Sequence, residues 1–280
     1  MQQVICKYIL KWVEDNLTSD LNVSDMAVST GYSRRTLEIW FSEQYGMSPG
    51  KYLNRRRMTR AAVLLKLTRL PITEIAMLLH HSSNQNFARA FRHFSGVTPT
   101  NYRNSNEWDL SGLQASFFYA KEISFNVTTC TLPEQYITGV SYSCADSYLY
   151  NTNNLLTDYI QKEVIRLIKS GTTNIYLIGE TILPQNIKES RVGQLVATVT
   201  VGTLVNVSSE DTAIMTSGKF CRYSFSCKWE EYYTNTNMMF IRIMSENKFI
   251  YTGGNCYVHF TGKPEQIDKK INCEVFIPIQ

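Results

Sequence analysis

Proline and glycine are scarce in this 280-residue chain, at 7 and 14, so it is neither collagen-like nor a low-complexity linker. Histidine is scarcer, at 4: His80, His81 and His93 early in the chain, and His259 alone later. No His-Glu-x-x-His, Gly-x-Ser-x-Gly or phosphate-loop glycine pattern occurs, which leaves hydrolytic and phosphoryl chemistry without its usual residues. The 7 cysteines are odd in number and show no Cys-x-x-Cys or Cys/His ligand spacing. That set argues against a disulfide framework or a zinc site, and for reduced thiols in a cytosolic protein. No cofactor is implied. No window is long and apolar enough for a membrane-spanning helix, so no membrane partner is expected. The opening MQQVICKYILKW lacks the small-residue cleavage site of a signal peptide and reads as the start of an amphipathic helix.

What is present is one pattern written twice. LNVSDMAVSTGYSRRTLEIWFSEQYGMSP opens at Leu21, and PITEIAMLLHHSSNQNFARAFRHFSGVTP opens at Pro71. Ala27 and Ala76 match at an offset of 49. Leu37, Phe41, Gly46, Pro49 and Tyr52 then match Phe87, Phe91, Gly96, Pro99 and Tyr102 at an offset of 50. One residue inserted in the intervening turn accounts for the step, and matches kept in order mark a duplicated unit.

Each copy reads as a short helix, a tight turn and a second helix with one apolar and one polar face. Asn22 or Ser24 caps the first helix, and Gly31 supplies the turn at little steric cost. Ser33 caps the second helix of copy one, and Ser82 or Ser83 that of copy two. Leu37, Trp40 and Phe41 form an apolar stripe at helical spacing, as do Phe87, Ala90, Phe91 and Phe94. Arg34, Arg35 and Glu38, and Asn84, Gln85, Arg89 and Arg92, are left to face outward. Helices of this kind enter a DNA major groove by their N-terminal ends.

Between the copies, Pro49 to Leu67 reads as a long helix, with Leu53, Met58, Ala61, Leu64 and Leu65 inward and Arg55, Arg56, Arg57 and Arg60 outside. A solvated face is the bland reading of that run; its place between two groove readers favours phosphate contact. Charge agrees: residues 1–108 hold 14 Lys/Arg against 8 Asp/Glu, a net of +6, and the remainder holds a net of −2.

Asn104 to Leu113 is polar and loses the helical period, which sets a boundary between domains 1–105 and 115–280. Beyond it FNVTTCTLPEQYITGVSYS, NIYLIGET, QLVATVTVGTLV, KFCRYSFSC, FIYTGG, CYVHF and CEVFIPI are strand-like, with helices at Thr157 to Ile168 and around Lys228 to Ile243. The second domain is therefore α+β with a mostly antiparallel sheet. It is rich in tyrosine, including Tyr142, Tyr148, Tyr150, Tyr176, Tyr251 and Tyr257; such residues either fill a core or line an apolar pocket.

The duplicated unit resembles the AraC/XylS family of bacterial transcription activators. Its motifs stand here as Met26-Ala27 up to Gly31-Tyr32, Ile75-Ala76 up to Phe91, and Gly96-Val97-Thr98-Pro99-Thr100-Asn101-Tyr102-Arg103. The unit's place at the start of the chain is similar to the Rob-like branch. LPEQYITG, the SGKF strand and the terminal CEVFIPIQ resemble the GyrI-like effector domain, which implies a pseudo-duplicated β-α-β-β unit. The resemblance also sets departures. His80-His81 stands where a glycine-phenylalanine is expected, Ile39-Trp40-Phe41 replaces a basic residue before Met-Phe, and Asn255-Cys256-Tyr257 replaces a glutamate before an aromatic.

The expected function is a sequence-specific regulator of transcription that binds double-stranded DNA in the cytoplasm, at the nucleoid. Base reading falls to Arg34, Arg35 and Glu38 in copy one and to Asn84, Gln85 and Arg89 in copy two. Arginine pairs with guanine, and Asn84 or Gln85 with adenine. Phosphate contacts fall to Ser33, Arg55, Arg56, Arg57, Ser83, Arg92 and Arg103. One chain then spans two groove segments, so dimerisation is not required. The second domain would bind a small molecule through Tyr142, Trp229, Asn255 and Tyr257, or a protein such as RNA polymerase. The rivals are a constitutive regulator whose second domain is an interaction module, and a hydrolase of small electrophiles.

Overall fold

The computed structural model describes residues 1–119, 125–147, 155–182, 194–263 and 267–280. Tyr148 and Tyr150 lie outside them. The chain forms two compact units. The first holds Met1–Ser105 and the segment that begins at Gly112; the second holds Asn106–Ser111 and the chain from residue 125 on.

The first unit is helical: α1 (Gln2–Asp15), α2 (Val23–Thr30), α3 (Arg34–Tyr45), α4 (Pro49–Leu67), α5 (Ile72–Leu78), α6 (Asn84–Ser95) and α7 (Pro99–Asn104). The duplication is visible in how the helices begin. Ser33 Oγ accepts the Thr36 N–H at 3.1 Å, and Ser83 Oγ accepts the Asn86 N–H at 3.1 Å. Ser48 and Thr98 cap α4 and α7 in the same way, each followed by proline at the first helical position. Asn22, not Ser24, caps α2, with Asp25 returning a carboxylate to the Asn22 N–H.

The duplication extends to the packing. Leu37 and Phe41 of α3 are buried, as are Phe87 and Phe91 of α6. Phe41 meets Tyr52 at 5.6 Å between ring centroids, and Phe91 meets Tyr102 at 5.2 Å. Helix α4 touches α1, α3, α5, α6 and α7, so both helical pairs are built on one connector. A strap from Gly112 to Phe117 lies along that connector. Phe117 stacks on Tyr52 and Tyr45 at 5.0 and 5.3 Å, and its N–H donates to Tyr52 Oη at 3.0 Å.

The second unit is α+β. Eight strands form one antiparallel sheet: β2 (Val127–Leu132), β3 (Gln135–Ser147), β4 (Ile175–Ile182), β5 (Gln194–Val205), β6 (Thr212–Met215), β7 (Gly218–Cys227), β9 (Cys256–Thr261) and β10 (Ile271–Pro278). Their order is β2-β7-β10-β9-β4-β5-β3-β6. β1 (Trp108–Asp109) and β8 (Ile250–Tyr251) make a separate pair. α8 (Leu155–Lys169) links β3 to β4. The helix expected around Lys228 to Ile243 divides into α9 (Trp229–Tyr233), a π turn (Thr234–Met238) and α10 (Met239–Glu246). The Tyr223 hydroxyl reaches the carbonyls of Asn235 and Thr236 in that turn, at 3.3 and 3.4 Å.

Side chains alternate across the sheet. Ile137, Ile178, Phe220, Tyr257 and Phe276 pack together on one face with Met215. Phe260, next but two to Tyr257, points to the other face, where it meets Trp229 and Tyr232. The seven cysteines are thiols rather than disulfides, and burial pushes that of Cys221 up to about 12, so it stays protonated.

Candidate functional site

The first turns of α3 and α6 carry the polar residues that the repeat leaves outward. Arg34 and Arg35 are exposed on α3, and Arg34 Nε donates to Glu38 Oε1 at 2.9 Å. This pair is solvated on both sides, so it orients the arginine rather than stabilising the helix appreciably. Asn84, Gln85, Arg89 and Arg92 are exposed on α6. Arg89 Nη2 donates to Asn86 Oδ1 at 2.6 Å, and Asn86 Nδ2 donates to Ser82 Oγ at 2.7 Å. Asn86 thus links the reading face to the preceding turn, a role with no signature beyond its place one turn after Ser82. Each helix therefore presents unsatisfied N–H groups and planar donors at its N-terminal end, the chemistry that anions and base edges accept.

The turns before the two helices differ. Gly31 ends α2 at φ +72°. His80 occupies the matching place at φ +55°, with its N–H on Met77 O and the His81 N–H on Ala76 O. The turn keeps its shape without glycine. His80 Nε2 sits 3.0 Å from Thr18 O, and the His81 ring lies 5.3 Å from Phe87. Burial, then the positive charge of Arg57, lowers the His81 pKa.

The arginines of α4 require correction. Arg56 is buried: Nε and Nη2 donate to Glu14 at 2.9 and 2.8 Å, and Nη1 donates to Gln114 O at 2.6 Å. Arg57 spends its guanidinium on the carbonyls of Leu17, Ser19 and Leu21 at 3.2, 2.6 and 2.8 Å. Arg103 donates to Leu65 O and Leu70 O at 3.2 and 2.6 Å. Arg55 binds Gln114 Oε1 and Gly112 O, and its guanidinium lies over the Phe94 ring. Burial lowers the pKa of Arg57 and Arg103, as for cations drawn out of water. These four arginines tie loops, strap and helices together instead of lying open to a phosphate. Glu14, Gly112 and Gln114 are the partners that the sequence did not disclose, because they lie far along the chain from α4. Of the expected phosphate ligands, Arg92, Ser33 and Ser83 remain at the helix faces and caps.

The expected effector residues do not form one lining. Tyr142 stacks on Tyr159 of α8 at 4.5 Å. Trp229 is buried beside Phe260 and donates its indole N–H to Ile267 O at 2.9 Å. Tyr257 is buried on the opposite face, its hydroxyl accepting the Thr216 N–H at 2.8 Å. Asn255 Nδ2 donates to Glu180 Oε1 at 2.8 Å, so a carboxylate from β4 reaches the place where the expected glutamate is missing. Trp229 and Tyr257 are core residues; burial and strand alternation separate them.

Comparison with known proteins agrees with the geometry of the first unit. Residues 3–105 match a helix-turn-helix domain model. YkgA of Escherichia coli (strain K12), described as an HTH-type transcriptional regulator, is 31% identical over 183 residues, covering 64% of this chain and 75% of that protein. The HTH-type transcriptional activator AarP of Providencia stuartii is 38% identical over 105 residues, covering 38% of this chain and 78% of AarP. The right origin-binding protein of Escherichia coli (strain K12) is 34% identical over 146 residues, or 51% of this chain and 50% of that protein. The match thus spans only half the length of that last relative. YkgA and AarP are thus named for the regulation of transcription, and among the described residues no cluster of His, Cys, Asp or Glu could hold a metal ion. No described helix is long and apolar enough to cross a membrane. With two capped helix-turn-helix pairs on one connector and these relatives, the chain belongs to the AraC/XylS-type helix-turn-helix family of transcriptional regulators.

Proposed function

We propose that this chain activates transcription by reading two successive major-groove segments of one duplex, α3 in one and α6 in the next, roughly 34 Å along the DNA. The observation that carries the reading is the matched pair of helix starts, with Ser33 and Ser83 as caps and Arg34, Arg35, Asn84 and Gln85 exposed beside them. Arg35 and Arg89 pair with guanine, and Asn84 or Gln85 with adenine. Arg92 contributes a phosphate contact, with Ser33 and Ser83 hydroxyls beside it.

The second unit acts in this reading as a GyrI-like regulatory module that engages RNA polymerase. A strand-helix-strand-strand succession, β3-α8-β4-β5 and then β7-α9/α10-β9-β10, meets at the central β4·β9 pairing, and this order supports the pseudo-duplicated fold. The packing of Tyr257 against Phe220 among buried neighbours favours an interaction module over a sensor with an open apolar cleft.

The test is selection of binding sites from random duplex DNA by the full chain, repeated with Arg35→Ala and Asn84→Ala. Each substitution is expected to relax base preference in a different segment. Arg92→Ala is expected to weaken binding across sequences and to make the salt dependence shallower by about one unit of slope. Unchanged preference in both base-reading variants would remove α3 and α6 as readers. Retention of the full chain on immobilised RNA polymerase, absent for an unrelated basic protein, tests the role of the second unit.

A further inference from the structure

Within that DNA-binding reading, we infer that Ile39 determines specificity by packing on the C5 methyl group of a thymine in the segment read by α3. Ile39 is 47% exposed, on a helix whose Leu37 and Phe41 are buried. It stands two residues from each of them, roughly 200° around the helix axis, which centres it on the outward face. Arg35 lies one turn earlier on that face and is exposed as well. A single exposed apolar residue on a protein surface needs no explanation by itself. This one lies in line with the guanidinium placed to enter the groove.

The internal repeat sharpens the point. Ile39 matches Arg89 at the offset of 50 that relates Leu37 to Phe87 and Phe41 to Phe91. Arg89 is likewise exposed, and held by Asn86. One location on the two reading helices thus presents a guanidinium in α6 and a branched hydrocarbon in α3. In the major groove the first suits the acceptor edge of guanine, and the second has one apolar partner on base edges, the thymine methyl. The two segments are then read by different chemistry, and the binding site is asymmetric.

The experiment replaces each thymine of a selected duplex, one at a time, by uracil, which lacks only the methyl. Wild-type affinity is expected to fall about fourfold at one thymine in the α3 segment, the value of one buried methyl-sized group. Ile39→Ala is expected to bind the thymine duplex several-fold more weakly and to be indifferent to uracil there, while Ile39→Val retains the effect. Arg89→Ala is expected to keep the uracil effect and lose preference in the other segment. Ile39 is solvent-exposed, and circular dichroism of Ile39→Ala, expected to match wild type, checks that the fold is kept. If the wild type selects a sequence but no uracil replacement matters, or if Ile39→Ala responds to uracil as wild type does, Ile39 does not read a methyl group. If the wild type selects no sequence, the DNA-binding reading itself falls and this assignment with it.

Discussion

Arg56 and Glu14 meet in the interior of the helical unit, with Nη2–Oε2 at 2.8 Å and only 9% and 4% of their side chains exposed. Forty-two residues separate them, and the strap closes over them: Gln114 O accepts from Arg56, and Ser116 Oγ donates to Glu14 at 2.8 Å. Removing one partner leaves the other charged and out of water, which costs about 3–5 kcal/mol. Arg56→Ala or Glu14→Ala is therefore expected to destabilise the helical unit by that amount in urea unfolding. At a temperature where the variant stays folded, Arg56→Ala is expected to leave the salt dependence of DNA binding unchanged. A shallower slope would return Arg56 to the DNA face.

How the arginine run could mislead is a matter of helical geometry. Three consecutive residues sweep roughly 200° around a helix, so Arg55, Arg56 and Arg57 cannot share one face. Arg56 follows Tyr52 by four residues and precedes Thr59 by three, and all three are buried. That stripe was present in the sequence, but an arginine inside it is intelligible only with Glu14 in view. The caps of the reading helices were legible because Ser33 and Ser83 bind N–H groups within three residues. Tyr257 and Trp229 were not, because alternation says which residues share a face and nothing about which face the helices cover.

The second unit contains a close approach that only glycine permits. Gly139 and Gly202 are paired across β3 and β5. A Cβ on Gly139 would lie 2.1 Å from Val201 O, and one on Gly202 would lie 2.0 Å from Thr138 O. Both obstacles are backbone, so no rotamer relieves them. Gly139→Ala and Gly202→Ala are each expected to cost at least about 3 kcal/mol in the unfolding of the second unit. DNA-binding preference measured below the transition is expected to be unchanged. Alanine tolerated at both places with full stability would show that the strands do not approach this closely.

His80 holds a left-handed backbone that Gly31 holds in the first copy. A side chain in that conformation costs about 1 kcal/mol or more, and the exposed contact of His80 Nε2 with Thr18 O recovers little of it. His80→Gly is expected to raise stability by about 1 kcal/mol, less the greater freedom glycine gains in the unfolded chain, while His80→Ala is expected to lower it. Chemical unfolding of the two variants against wild type decides the matter. A glycine variant markedly less stable than wild type would mean that the turn is not strained.

His81 makes the same turn sensitive to acid, and its matching residue in copy one is Tyr32. Burial and Arg57 favour the neutral imidazole in the fold, so its folded pKa lies below the unfolded value of about 6.5. The unfolded chain therefore takes up the proton first. Stability from the neutral ring is fully present above the unfolded value and is lost as pH falls through the folded one. Tyr32 packs against Trp40 at 5.0 Å between centroids as His81 packs against Phe87 at 5.3 Å, so an aromatic ring without a basic nitrogen fits this kind of contact. His81→Tyr is expected to flatten the fall in melting temperature of the helical unit between about pH 7 and 5 relative to wild type. Contributions common to the two proteins cancel in the difference. An identical pH profile for the two would show that His81 titrates alike in folded and unfolded chains, with no burial to lower its affinity for a proton.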